Sequence, residues 1–296
     1  MLIRFGYEIE IDSAGPVPMI AALATHSEVQ GRLIGEDRLR SQSDLPTREY
    51  IDAYGNRMTR LIAPGGSVKL WSDCVIEVDG VPDPVVADAQ QHKVEDLPDE
   101  VLQFLVASRY CDSDTLSDFA WKQFAGTAPG WARVQAICDY AHNETTFGYK
   151  FGRPTKTASE VWKEKTGVCR DFAHLAVTLC RAMNIPARYA SGYLGDIGWH
   201  DTGAGDFSAW FEAYLGGRWY TFDARFNKPR IGRILMVRGT DAADVAIITS
   251  FGTYDLTYFR VWTDEIPDQS DAAVIELLQT RPEGLPLVFP SSARVA

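Results

Sequence analysis

One stretch of the chain decides the fold, and from Thr157 to Asn184 it reads TASEVWKEKTGVCRDFAHLAVTLCRAMN. From Cys169 onward its apolar residues recur at helical spacing, at Phe172, Leu175, Ala176, Leu179, Cys180 and Met183. This stripe predicts an amphipathic helix that begins at Cys169 and turns that residue toward the protein interior. The four residues that open the stretch have the pattern of a capping box, which predicts a shorter helix just before it.

The position of Cys169 at the start of a helix has a chemical consequence. The unpaired N–H groups and the positive end of the helix dipole favour a thiolate over a thiol at this position. Because the thiolate is the nucleophilic form of cysteine, we interpret Cys169 as a candidate nucleophile. The alternative is that Cys169 is a buried apolar cysteine without chemistry.

A β-hairpin is predicted further along, where Gly216-Gly217 separates two runs of alternating residues. In a two-residue loop the flanking residues face each other, which would set Asp223 opposite Trp210 and Arg225 opposite Ser208. Strand alternation then places these four side chains on one face of the hairpin. The other face is predicted to pack against the central helix.

The rest of the chain divides into segments by composition. Residues 1–80 alternate apolar and polar positions over several short runs, which predicts a β-rich, sandwich-like domain. Residues 81–99 are polar and contain several prolines, so we interpret them as a linker. Residues 100–265 form the second domain, in which residues 256–262 are expected to continue the sheet. Residues 266–296 are predicted to form a short helix and an extended tail.

Four motifs in the second domain carry a resemblance to a known family. They are Gly167–His174 (GVCRDFAH), Asn184–Tyr189 (NIPARY), Ala209–Glu212 (AWFE) and Tyr220–Asp223 (YTFD). Together and in this order they resemble the bacterial transglutaminase-like superfamily, over about residues 100 to 265. The resemblance implies an α+β fold of the papain type, with a central helix against an antiparallel sheet. Residues 1–80 resemble, more weakly, the β region that precedes such domains in bacteria.

The resemblance also implies roles for individual residues. In this family a cysteine attacks a carbonyl, a histidine acts as base and an aspartate orients the histidine, so the cysteine would be Cys169 and the aspartate Asp223. The histidine is expected directly before Ala209, where this chain has Ser208. Because a serine hydroxyl cannot accept a proton near neutral pH, the activity that the resemblance implies requires a different base.

Several other residues are candidates for that base or for substrate binding. His200 lies in a glycine- and aspartate-rich loop that could close over the site. His174 follows Cys169 by five positions and should point away from the thiol, so a buried, hydrogen-bonded role suits it better. Arg225 could hold a thiolate by its charge, although arginine cannot transfer protons. Trp210 could line a substrate groove, or it could belong to the core.

Composition limits the classes of partner and cofactor. The chain has 296 residues, enough for two domains, and a formal net charge of −11, which argues against nucleic acid and anionic membrane as partners. Five cysteines without tight spacing indicate neither a disulfide framework nor a zinc site, and we expect no cofactor. The first residues alternate like a strand rather than a signal peptide, so we predict a cytoplasmic protein, with homo-oligomerisation left open.

These observations lead to two functional hypotheses. The first is a thiol-dependent acyl-transfer enzyme, a cysteine peptidase or amidase that acts on peptide or amide bonds through Cys169. Hydrolysis is favoured over cross-linking, because nothing in the sequence selects an amine acceptor over water. The alternative is a catalytically impaired homologue that binds a peptide or protein partner in the same cleft, because Ser208 occupies the expected histidine position.

Overall fold

The computed structural model describes residues 1–29, 31–42, 45–198, 206–267, 270, 274 and 276–277. Its strands are β1 (Leu2–Ser13), β2 (Val17–Ala21), β3 (Arg32–Ile34), β4 (Arg40–Ser41), β5 (Arg48–Ile51), β6 (Arg57–Ala63), β7 (Gly66–Glu77), β8 (Thr146–Phe147), β9 (Thr166–Gly167), β10 (Ala187–Leu194), β11 (Ser208–Leu215), β12 (Arg218–Phe222), β13 (Arg233–Gly239), β14 (Ile248–Ser250) and β15 (Asp255–Glu265). Its α-helices are α1 (Asp99–Leu102), α2 (Ser117–Phe124), α3 (Trp131–Glu144), α4 (Ala158–Glu164) and α5 (Cys169–Ala182).

The amino-terminal region contains two antiparallel sheets, as the alternating pattern predicts. One sheet has the order β15-β1-β7-β3, with β4 also on β7, and the other has the order β14-β2-β6-β5. Apolar side chains from both sheets belong to one buried core, including Ile9, Ile11, Met19, Leu61 and Leu70. The sandwich-like character expected from the sequence follows from this shared core.

The expectation that residues 256–262 continue the second domain's sheet is wrong. They belong to β15, which pairs antiparallel with β1 from Ile3↔Glu265 to Asp12↔Asp255. The neighbouring β14 pairs with β2, also in the amino-terminal region. Alternation within a strand indicates which face is buried but contains no information about the partner strand, so only the tertiary structure assigns β15 to β1.

The second region consists of a four-stranded antiparallel sheet, in the order β12-β11-β10-β13, and the helix α5 that packs on it. Side chains of α5 and of one face of β11 share a second core, among them Leu175, Leu179, Phe211, Ala213 and Leu215. The packing of this β11 face against the central helix is therefore confirmed. The fold is α+β, with a central helix against an antiparallel sheet.

The hairpin register is confirmed up to the end of β12. The pairs run from Leu215↔Arg218 to Phe211↔Phe222, and both loop glycines have positive φ, +55° at Gly216 and +85° at Gly217.

The predicted pairing of Asp223 and Arg225 with β11 is wrong, because β12 ends at Phe222. The Asp223 carboxylate instead accepts the backbone N–H groups of Arg225 and Phe226, at 3.0 and 2.9 Å. This local turn replaces further ladder hydrogen bonds.

The segment interpreted as a linker is held against the second sheet. Pro82 forms an antiparallel bridge with Ile231, and the Asp83 N–H donates to the Arg230 carbonyl at 2.9 Å. The helix and tail predicted after residue 266 lie mostly outside the described residues. Within the described part of the chain, no helix is long and apolar enough to cross a membrane.

Candidate active site

Helix α5 begins at Cys169, at the residue that the sequence predicts. Val168 before it is extended, with φ −105° and ψ 176°, and its N–H donates to the Asp171 carboxylate at 3.0 Å. Gly167 is required at this junction, because a Cβ there would lie 2.6 Å from the Asp171 Cβ. The hydrogen bond from Val168 to Asp171 and the absence of a Cβ at Gly167 therefore define the geometry at the start of the helix.

Cys169 differs from the other cysteines in how exposed the residue is. All five cysteines are free, and Cys169 alone among them is partly exposed while the other four are buried. Its Sγ lies 4.0 Å from the carbonyl oxygen of Phe207, one residue before β11. The sulfur thus reaches from the first turn of α5 to the beginning of the neighbouring strand.

The expectation of a thiolate at Cys169 is wrong for the resting protein. Burial and the nearby Asp206 carboxylate raise the pKa of the Cys169 thiol to about 11, although Arg225 and two backbone hydrogen bonds act in the opposite direction. The Asp171 carboxylate lies in the first turn of the helix, so the positive end of the helix dipole acts on this charge as well as on Cys169. Desolvation is the largest of these effects, and a pKa of about 11 corresponds to a neutral thiol at pH 7.

Asp206 is a member of the site that the sequence did not indicate. Its carboxylate interacts with the Tyr149 hydroxyl and with Arg225, and its charge raises the pKa of the Cys169 thiol. Burial raises the pKa of Asp206 to about 6, while the Phe207 N–H, Tyr149 and Arg225 lower it. No motif marks this aspartate, and its one sequence signal is its place two residues before the start of β11.

Arg225 lies near the thiol, as predicted, but for a different structural reason. Its guanidinium carbon is 3.7 Å from the ring centroid of Phe147 and 4.6 Å from that of Phe226. It reaches the site from the turn after β12 rather than from a paired strand position. Its positive charge lowers the pKa of both Cys169 and Asp206.

Asp223, the aspartate implied by the family, is engaged by an arginine. Its Oδ2 accepts a hydrogen bond from Arg233 Nη2 at 2.8 Å, while Oδ1 accepts the two backbone N–H groups of the turn. Arg233 also donates to Asp83 Oδ2 at 2.7 Å, and its guanidinium carbon lies 4.9 Å from the Trp210 ring centroid. Trp210 is accordingly buried beside this ion pair.

Ser208 lies at the start of β11, where the family places its histidine. It pairs with Gly192 of β10, is buried, and its carbonyl accepts the Ser191 hydroxyl at 3.0 Å. His200, the candidate base from the preceding loop, lies outside the described residues.

His174 is placed in the protein interior. Its ring stacks on Tyr110, with centroids 5.2 Å apart, and its Nε2 accepts the Ala242 N–H at 3.1 Å. Burial and the charges of Arg170 and Arg181 lower the pKa of His174 well below its usual value. A neutral imidazole with Nε2 already occupied is suited to a structural role. No cluster of metal-binding side chains is present among the described residues either.

Comparisons with known proteins identify the family to which this chain is related. The model of the transglutaminase-like superfamily matches residues 118–224, which include Cys169, Asp206, Ser208 and Asp223. The chain is 30% identical over 208 residues to the uncharacterized protein ML0607 of Mycobacterium leprae (strain TN), covering 67% of this chain and 73% of that protein. The chain belongs to the transglutaminase-like superfamily.

Two further relatives extend the comparison for this transglutaminase-like protein. It is 30% identical over 176 residues to the uncharacterized protein Rv2569c of Mycobacterium tuberculosis (strain H37Rv), covering 54% of this chain and 55% of the relative. It is similar to the crystal structure of a "putative cysteine protease" from Cytophaga hutchinsonii, with a TM-score of 0.80 and 28% identity over 99% of this chain and 95% of the other. The likeness therefore includes the amino-terminal sheets as well as the second region.

Proposed function

We propose that this transglutaminase-like protein is a thiol-dependent acyl-transfer hydrolase, a cysteine peptidase or amidase that acts on peptide or amide bonds through Cys169. One observation carries the proposal. Cys169 is the partly exposed cysteine at the first position of a buried helix, and the charges of one acidic and one basic side chain, Asp206 and Arg225, act on its thiol. Reactive groups in such surroundings are typical of active sites rather than of packing positions.

The reaction follows from this placement. The Cys169 sulfur attacks the carbonyl carbon of the substrate, the amine leaves, and a thioester remains that water then hydrolyses. The Cys169 N–H, at the positive end of α5, is the donor that we assign to the oxyanion of the tetrahedral intermediate. Hydrolysis is preferred to cross-linking, because nothing in the sequence selects an amine acceptor over water.

The structural relative from Cytophaga hutchinsonii, described as a "putative cysteine protease", supports this class of reaction, since the similarity spans nearly the whole chain. The substrate of the present protein is proposed to be a peptide or protein amide. A cytoplasmic location, with no nucleic acid or membrane partner, belongs to the same proposal. Cell fractionation would test the location. Size-exclusion chromatography would test whether the protein forms a homo-oligomer, which the sequence leaves open.

A second candidate function is favoured by a specific observation. Both carboxylate oxygens of Asp223 are occupied, and Ser208 stands where the family has its histidine. A homologue that binds a peptide or protein partner in the same cleft, without turnover, would need neither residue as a catalyst.

One experiment separates the two functions. The purified protein is incubated with a library of fluorogenic peptide amides, beside the variant Cys169→Ser, which preserves the size of the side chain. The enzyme proposal expects turnover by the parent and its loss in the variant. Turnover that survives in Cys169→Ser would assign the activity to another site or to a contaminant. Absence of turnover across the library, together with saturable peptide binding by both proteins, would support the binding function.

A further inference from the structure

Asp206, whose charge acts on the Cys169 thiol, is not a member of the triad that the family implies. Asp206 lies directly before Phe207, whose carbonyl oxygen is 4.0 Å from the Cys169 sulfur. Its carboxylate interacts with the Tyr149 hydroxyl, and the charges of Asp206 and Arg225 both act on the Cys169 thiol. The thiol, the carboxylate, the phenol and the guanidinium therefore come from four separate segments of the chain and act on one another electrostatically.

We propose that Asp206 is the proton acceptor and donor for Cys169, in the role that a histidine at position 208 would otherwise fill. The inference rests on the proposed function and names a further residue of the same site. As the sulfur attacks, its S–H bond breaks, the S–C bond forms, and Asp206 takes the proton. Asp206 then gives that proton to the amine nitrogen while the C–N bond breaks.

The second half of the reaction uses the same carboxylate. A water molecule gives a proton to Asp206 as its oxygen bonds to the thioester carbon, and the proton returns to the sulfur when the C–S bond breaks. Atoms and electrons balance in both halves without an oxidant, a reductant or any other co-reactant. Tyr149 is a positioning residue here, because its hydroxyl orients the carboxylate.

The other described groups around the thiol are less suited to proton transfer. Asp223 has both oxygens occupied, and His174 is interior with Nε2 already accepting a hydrogen bond. Arg225 keeps its proton in proteins. Burial and the Asp206 charge raise the pKa of Tyr149, which removes it as a base near neutral pH.

The acidity of Asp206 suits the role. A carboxyl group with a pKa of about 6 is a stronger base than an ordinary aspartate and can also donate its proton close to neutral pH. The groups that act on its charge state are the Phe207 N–H, Tyr149 and Arg225, and its own charge acts on the thiol of Cys169. Because the thiol is a much weaker acid, the proton moves together with attack rather than before it.

The test compares the parent with Asp206→Asn using three probes under single-turnover conditions. Iodoacetamide reports the amount of thiolate alone. N-acetylglycine p-nitrophenyl ester has a leaving group that departs without a proton. N-acetylglycine p-nitroanilide has an amine leaving group that must receive a proton. Alkylation of Cys169 is expected to be faster in the variant, because loss of the negative charge lowers the thiol pKa. Ester acylation should be equal or faster, whereas anilide acylation should fall about 100-fold or more.

The outcomes distinguish the two levels of inference. If anilide acylation in Asp206→Asn changes in parallel with alkylation, the proton role is overturned while the enzyme proposal stands. If neither acyl probe reacts with Cys169 of the parent, although iodoacetamide does, the enzyme proposal fails and the proton role fails with it.

A second variant distinguishes a loss of proton transfer from a folding defect in Asp206→Asn. Tyr149→Phe removes the hydroxyl that interacts with Asp206 and should move the acidic limb of the anilide pH profile to higher pH, since that hydroxyl lowers the pKa of Asp206. An unchanged acidic limb in a folded Tyr149→Phe protein would contradict the proposal. Asp206→Glu, which keeps the carboxylate, should retain more anilide acylation than Asp206→Asn.

Discussion

Arg233 and Asp223 form a buried ion pair, with 2.8 Å between Nη2 and Oδ2 and with side chains only 7% and 1% exposed. Arg233 bonds in the same way to Asp83, which comes from the segment between the two regions. The aspartate that would orient a histidine in this family is thus neutralised by an arginine. Through Arg233, Asp83 is also connected to the sheet that contains the candidate site.

Removing Arg233 is expected to destabilise the protein strongly. Arg233→Met would leave the buried Asp223 and the partly buried Asp83 without the arginine that pairs with both, which costs about 3–5 kcal/mol of unfolding free energy. Urea unfolding followed by circular dichroism measures the change. The matched control is Arg32→Met, whose ion pair with Glu77 is exposed and should cost about 0–1 kcal/mol. Equal losses in the two variants would show that the buried pair contributes nothing special.

The pH dependence of Cys169 labelling follows from its raised pKa. A thiol with a pKa of about 11 is protonated across the neutral range, so its iodoacetamide rate should rise about tenfold for each pH unit between 7 and 10. Mass spectrometry of the labelled peptide measures the rate, with Cys169→Ala as the control for labelling elsewhere. A rate that levels off below pH 8 would instead indicate the thiolate that the helix position alone suggests.

Substitution of Ser208 tests whether the expected histidine position still serves the site. Ser208→His should place an imidazole at the start of β11, and added to Asp206→Asn it should restore anilide acylation by about 10-fold or more. Because Ser208 is buried, the larger side chain should also lower stability by about 1–3 kcal/mol. Ser208→Ala in the same background controls for loss of the hydroxyl. A folded double variant with no gain over this control would show that position 208 no longer addresses the thiol.

Gly167 is expected to be necessary for the geometry of the nucleophile. Gly167→Ala would force its Cβ against Asp171 at the start of α5, which should cost about 1–3 kcal/mol of stability and slow Cys169 acylation. Gly126→Ala is the control, since a Cβ there meets no atom within 4 Å. Thermal unfolding and ester acylation together measure the two effects. Identical behaviour of the two variants would mean that the junction adapts without moving the cysteine.

Much of the site's framework is local and was therefore readable from the sequence. The apolar stripe and the glycine before it predict the start of α5 at Cys169, and Gly216-Gly217 predicts the hairpin register as far as Phe222. Both depend on periodicity and turn chemistry within a few residues. The ordered motifs identify the transglutaminase-like superfamily for the same reason, because they are short and contiguous.

The sequence by itself thus determined which helix presents the cysteine and which strands lie beside it. Only the tertiary structure decided the electrostatics of the site, by bringing Asp206 to the thiol and Arg233 to Asp223. It also assigned β15 to β1, about 250 residues earlier in the chain. Desolvation and long-range charge pairs depend on segments that are distant in sequence, so no local pattern contains them.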